Sequence, residues 1–146
     1  MDKLRIILLY IHILSAITTI GPFFVLISLV PRLRSAGPEA RQAYLNTFKS
    51  AIRLVKHMGH VLVVSGILLI LAASWSWLEP WLVATYIILA CSLYFMACAF
   101  TPKLRKFGEP DVNEEALIRK LIRSVWIYLL LLLVMLWLMV AKPQLW

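Results

Sequence analysis

Four membrane-crossing helices, and so an all-α fold, are predicted by three features of this sequence. Hydrophobic residues make up 62% of the 146-residue chain, and the mean hydropathy is +0.87. A soluble domain of this length carries less apolar material and alternates it with charge. Four apolar runs, Ile6–Val30, His57–Ala73, Trp81–Phe100 and Val125–Ala141, contain no Asp, Glu, Lys or Arg. Each approaches the roughly 20 helical residues that span a hydrocarbon core of about 30 Å. The charges gather between these runs. The spans drawn from them are residues 6–30, 57–76, 81–101 and 124–141 of a single integral membrane domain, 1–146.

The first run is too long for a signal-peptide core and lacks an A-x-A-like cleavage site, so it is expected to act as its own uncleaved signal. Gly21-Pro22 is expected to bend it. Twelve of the fifteen basic residues fall in the loops 31–56 and 102–123, whereas "SWSWLEP" between the second and third runs has none. The positive-inside rule makes both basic loops cytoplasmic and leaves both termini outside. Anionic lipid head groups are then the default partner of the bases. The net charge of +8 calls for no nucleic acid. Trp75, Trp77, Trp81 and Trp146 fit an outer aromatic belt.

The loops share a faint repeat, "PRLRSAG" from Pro31 and "PKLRKFG" from Pro102. In each, a proline stops the helix, bases anchor it at head groups and a glycine permits the turn. The chain therefore reads as two tandem helical hairpins, each entering from outside. An amphipathic lead-in follows each turn. Tyr44, Phe48, Ile52 (or Ala51) and Val55 share one helical face, and Leu117, Leu121 and Val125 form a second stripe. Asp111, with Glu114 three residues on, reads as an N-cap. Helices 2 and 4 are expected to begin at the cytoplasmic interface and run on into lipid. Cys91 and Cys98 lie seven residues apart on one face of helix 3 and cannot bridge each other.

Ionisable groups at membrane depth are costly and so are functional candidates. Here they are three histidines. Counted from the edges of the apolar runs, His12 lies roughly 9 Å below the outer surface and His60 about 5 Å above the inner edge. This separation sets them at different levels and disfavours one metal ion taking both. The same counting brings Met135 and Met139 near His12, and Cys98 and Met96 near His57 and His60. Histidine with methionine is an axial pair for haem, and histidine, cysteine and methionine suit copper(I). Two candidate sites result, an outer one at His12, Met135 and Met139 and an inner one at His57, His60, Met96 and Cys98. Set against them, interfacial histidines commonly bond water or head groups, and a deep one can bond a serine, threonine or carbonyl of a neighbouring helix. There is no phosphate-binding glycine loop, intramembrane carboxylate pair, hydrolase motif or CxxC.

With His12, Gly21, Phe23, Phe24 and Arg32 in "YIHILSAITTIGPFFVLISLVPRLR", together with "VKHMGHVLVVSG" and the terminal "KPQLW", the chain resembles a family of small bacterial predicted integral membrane proteins of unknown function. That family is similar in turn, chiefly through helix 1 and the four-span layout, to copper-resistance D-type domains and to the HemJ-type protoporphyrinogen oxidase. The resemblance implies a bundle in the bacterial plasma membrane with b-type haem near His12, or handling of copper. HemJ-type proteins also use a helix-3 lysine. Helix 3 here has none, and Lys103 lies beyond its end. The readings are a multi-pass membrane protein binding haem b at His12 for electron transfer or porphyrinogen oxidation, a copper-handling protein, or a non-catalytic scaffold or subunit without cofactor. A transporter of this size would need a homodimer.

Overall fold

Helix α1 runs over Asp2–Leu29 and tightens into a 3₁₀ turn at Val30–Arg34; α2 is Pro38–Ala73, α3 Pro80–Ala99 and α4 Glu114–Ala141. The structure, a computed structural model, describes residues 2–100, 102, 106 and 113–143. Lys103, Leu104, Arg105 and Gly108 of the second loop repeat, Asp111 and Trp146 lie outside the described residues. All four helices are long and apolar enough to cross a membrane, and no strand occurs among the described residues.

The helix ends follow from local chemistry. Pro38 and Pro80 open α2 and α3, where a missing N–H costs nothing because first-turn donors have no intrahelical partner. Asn113 caps α4, its side-chain oxygen accepting from the Ala116 N–H at 3.1 Å. Glu114 and Glu115 then face the positive end of the helix dipole. This cap lies two residues beyond the expected Asp111. Ser74 closes α2 in the left-handed region (φ 54°) and Lys142 closes α4 likewise (φ 44°). Their N–H groups return to carbonyls of the last turn.

α1 packs along α2, α3 along α4, and α1 lies against α4, giving two hairpins side by side. The N-terminal part of α1, the α2–α3 turn and the end of α4 share one end of the bundle, the terminal end. There the Arg5 and Lys142 side chains stand 5.9 and 4.3 Å from the Trp75 ring centre, and Trp75 meets Trp81 edge-on at 5.3 Å. Trp77 is exposed, as a belt residue would be, but Trp81 is buried against Ile70 and Leu82. Its indole fills the corner where α2 turns into α3, so Trp81 packs inside the protein, unlike the expected belt residue.

At the opposite, loop end, Arg41 of α2 pairs with Glu114 of α4 and donates from Nη2 to the Leu33 carbonyl at 3.5 Å. The amphipathic lead-in is the first half of one 36-residue helix. Phe48 and Val55 are buried, while Tyr44, Ala51 and Ile52 are half-buried against the core, as the stripe predicts. Leu117, Leu121 and Val125 of α4 are buried too. The main core is aromatic at its middle, where Phe23, Phe48, Phe95, Phe100 and Tyr128 interlock with centroids 4.8–6.4 Å apart. Past the end of α3, Leu26, Val30, Leu33, Leu45, Ile118 and Leu121 continue it as a three-helix extension.

Candidate functional site

His12 sits in the terminal-end half of α1, on the face turned to α2 and α4. Its Nδ1 lies 3.1 Å from the Leu62 carbonyl oxygen and 3.1 Å from Ser65 Oγ. A carbonyl can only accept, so this contact requires the proton on Nδ1. The Ser65 hydroxyl donates its own proton to the same Leu62 oxygen at 3.0 Å, leaving a lone pair for the imidazole N–H. All three groups are thereby satisfied by a single tautomer.

The other ring nitrogen then carries the lone pair. Nε2 lies 3.4 Å from Met139 Sδ. A thioether sulfur is at best a weak acceptor, so in this tautomer two electron-pair donors face each other. Met135 stands one turn before Met139 on the same face of α4 and lines the same narrow cleft, with Ala16, Thr19, Leu62 and Leu132. That cleft has room for about one water. Gly66 closes the other side of the ring: a Cβ there would come within 3.2 Å of His12 Cε1. Along α1, Ser15 donates to the His12 carbonyl at 2.8 Å and Thr19 to the Ser15 carbonyl at 2.7 Å. These buried hydroxyls are thus spent on their own helix.

The levels of the histidines need correcting. His12 is bonded to Leu62, two residues after His60, so the two histidines stand about 3 Å apart along the bundle axis. Counting from the edges of the apolar runs put the first turns of α2 in the loop, but they are helical and pack along α1. Measured from the turn between Arg34 and Pro38, His12 and His60 are equally distant along the chain. That symmetry was the available signal, and it also points to Leu62, Ser65 and Gly66 as neighbours of His12. The two rings still do not converge, since His60 is exposed and its Nδ1 bonds the Lys56 carbonyl at 2.6 Å.

His57 and Cys98 are exposed as well, and Met96 is half-buried against the main core. Among the described residues no group of three or more His, Cys, Asp or Glu side chains could hold a metal ion. The structure therefore brings His12 against Met139, with Met135 lining a cleft beside Met139, and does not gather His57, His60 and Cys98. Haem fits this pair poorly. Ligands on opposite sides of one metal stand about 4.3 Å apart, with a nitrogen at roughly 2.0 Å and a sulfur at roughly 2.3 Å. His12 and Met139 are closer than that, and the cleft beside them is far smaller than a porphyrin.

Residues 6–143 match the family model described as "Predicted integral membrane protein (DUF2269)". No curated protein and no solved structure matches the chain. The expected likeness to copper-resistance D-type domains and to the HemJ-type oxidase finds no support in these comparisons. With its four apolar helices and a match over nearly its whole length, the chain belongs to this family of integral membrane proteins of unknown function.

Proposed function

We propose that this integral membrane protein binds a soft monovalent metal ion, copper(I), through His12 Nε2 and Met139 Sδ, with Met135, one turn earlier on α4, as the candidate third ligand. The observation that carries this reading is the orientation of the imidazole. With Nδ1–H held by the Leu62 carbonyl, the free lone pair points at a thioether. Imidazoles that bind metals characteristically donate their other N–H to a carbonyl or carboxylate in this way. Two ligands on one tetrahedral ion stand about 3.5 Å apart, close to the 3.4 Å separation of nitrogen and sulfur here. Imidazole and thioether are neutral and soft, which favours copper(I) over a hard or divalent ion in an apolar setting.

The test is copper content. Protein purified in mild detergent is loaded with copper under reducing conditions, desalted and measured by elemental analysis. About one ion per chain is expected for the wild type, and a several-fold loss in Met139→Leu, which keeps the volume and removes the ligand. Equal copper in the two proteins, or none in either, overturns the proposal.

A second reading, in which His12 is only a strut between α1 and α2, is favoured by the same Leu62 and Ser65 contacts. It predicts that His12→Ala lowers the melting temperature of a wild-type protein that retains no copper. A Soret band in the wild type, lost in His12→Ala, would return the site to haem.

A further inference from the structure

α3 serves as a ruler for the bundle. Its 20 residues rise about 30 Å, the thickness of a hydrocarbon core. It ends where the Phe100 ring meets Phe23 and Phe48. The register of α1 against α2 is pinned by His12 on Leu62 and by Arg41 on Leu33. That register places Ala51 level with Phe23, at the edge of the core as α3 defines it. Lys49 then lies about 3 Å outside the edge, Arg53 about 3 Å inside it, and Lys56 and His57 about 8 Å inside it.

Lys49, Arg53, Lys56, His57 and His60 are all exposed, and their three- and four-residue spacing lays them along one strip of α2. The two ion pairs formed among the described residues, Arg41–Glu114 and Arg119–Glu115, include none of them. At the same levels α1 exposes Ile17, Phe24 and Val25. One flank of the bundle is therefore apolar at this depth and the neighbouring flank is cationic.

Acyl chains cannot cover those cations. Among the described residues, a second copy of the chain offers no unpaired carboxylate at this level. Its Asp2 and Glu79 are at the terminal end, Glu114 and Glu115 are already paired, and Glu39 is in the first turn of α2. Lysine and arginine stems instead carry their charge along the helix to the phosphate layer. We infer that this strip of α2 is a binding site for the head group of an anionic phospholipid, its phosphate held by Lys49, Arg53 and Lys56 at the edge of the hydrocarbon core.

The experiment uses the full chain, reconstituted in bilayers of phosphatidylcholine and phosphatidylglycerol, extracted in mild detergent and weighed by native mass spectrometry. Wild type should retain phosphatidylglycerol over phosphatidylcholine by about tenfold or more. The Lys49→Gln/Arg53→Gln/Lys56→Gln variant should lose most of that preference. A control triple, Arg32→Gln/Arg34→Gln/Arg119→Gln, removes equal charge more than about 10 Å beyond the edge and should change it less than about twofold. No preference in the wild type, an unchanged preference in the α2 triple, or an equal loss in both triples overturns the inference. So does an acidic protein that co-purifies in stoichiometric amount and is lost from the α2 triple while lipid retention stays constant. The wild-type comparison stands by itself should the α2 triple not fold.

Discussion

The two halves of the bundle are held together differently. In the terminal-end half the contact between α1 and α2 is polar, with His12 bonded to Leu62 and Ser65 beside a thioether. In the loop-end half it is aromatic and aliphatic, with Phe23, Phe48 and Phe100 fully buried and Leu26, Val30 and Leu33 continuing the core past α3. The difference matches the surroundings that helix length implies. Between lipid tails, apolar burial gains little over lipid contact, so packing and interhelical hydrogen bonds decide association. Beyond the hydrocarbon edge, water restores the ordinary drive to bury leucine and phenylalanine. The extension can therefore be built like a small soluble bundle, while the half carrying His12 is specified by a few polar contacts. A site that must present an imidazole lone pair is better placed in the second kind of environment.

Substitutions should divide along that line, and the largest effects belong to the loop-end half. Phe23→Ala removes a ring packed on Phe100 and Tyr128 and should cost about 3–5 kcal/mol. It would be read as a large fall in the thermal unfolding midpoint in detergent. Leu121→Ala, in the extension, should cost about 2–5 kcal/mol. A cost near zero would mean that Leu121 faces acyl chains and that the core edge is misplaced. At the start of α4, Asn113→Ala forfeits the cap and should cost about 1 kcal/mol in the same measurement.

In the polar half, His12→Ala should cost only about 0.6–2 kcal/mol, the range of interhelical hydrogen bonds in membranes, yet abolish metal uptake. If the midpoint instead fell as far as in Phe23→Ala, the histidine would be a main structural element and the contrast between the halves would fail. Gly66→Ala is the finest probe. Its new methyl would press on His12 Cε1 at 3.2 Å, so the ring must shift by a few tenths of an ångström. Copper affinity should fall while the unfolding midpoint hardly moves.

Much of the fold was legible because lipid imposes a coarse code. The apolar runs mark all four helices, and the stripes at Phe48–Val55 and Leu117–Val125 identify their buried faces. The two hairpins follow from the basic turns. The details of the site were less legible, because they depend on register. The edges of apolar runs are poor markers of depth when a helix such as α2 runs well past its apolar part. Hence counting from those edges sets His12 and His60 at separate levels, and no local pattern marks Leu62, Ser65 and Gly66 as neighbours of the imidazole. The pairing of Arg41 with Glu114 joins residues far apart in the chain and leaves no local trace. Trp81 carries the same composition signal as Trp77, and only the turn at Ser74 decides that one is buried and the other exposed. Counting along α4 does bring Met139 to the level of His12, since that helix meets α1 close to the assumed register.

Copper K-edge absorption on the reduced, loaded protein tests the imidazole–thioether pairing most directly. One nitrogen-type scatterer at about 2.0 Å and at least one sulfur at about 2.3 Å are expected, with sulfur scattering reduced in Met139→Leu and nitrogen scattering lost in His12→Ala. A wild-type protein that takes up no copper, or whose bound copper shows no sulfur neighbour, would contradict it.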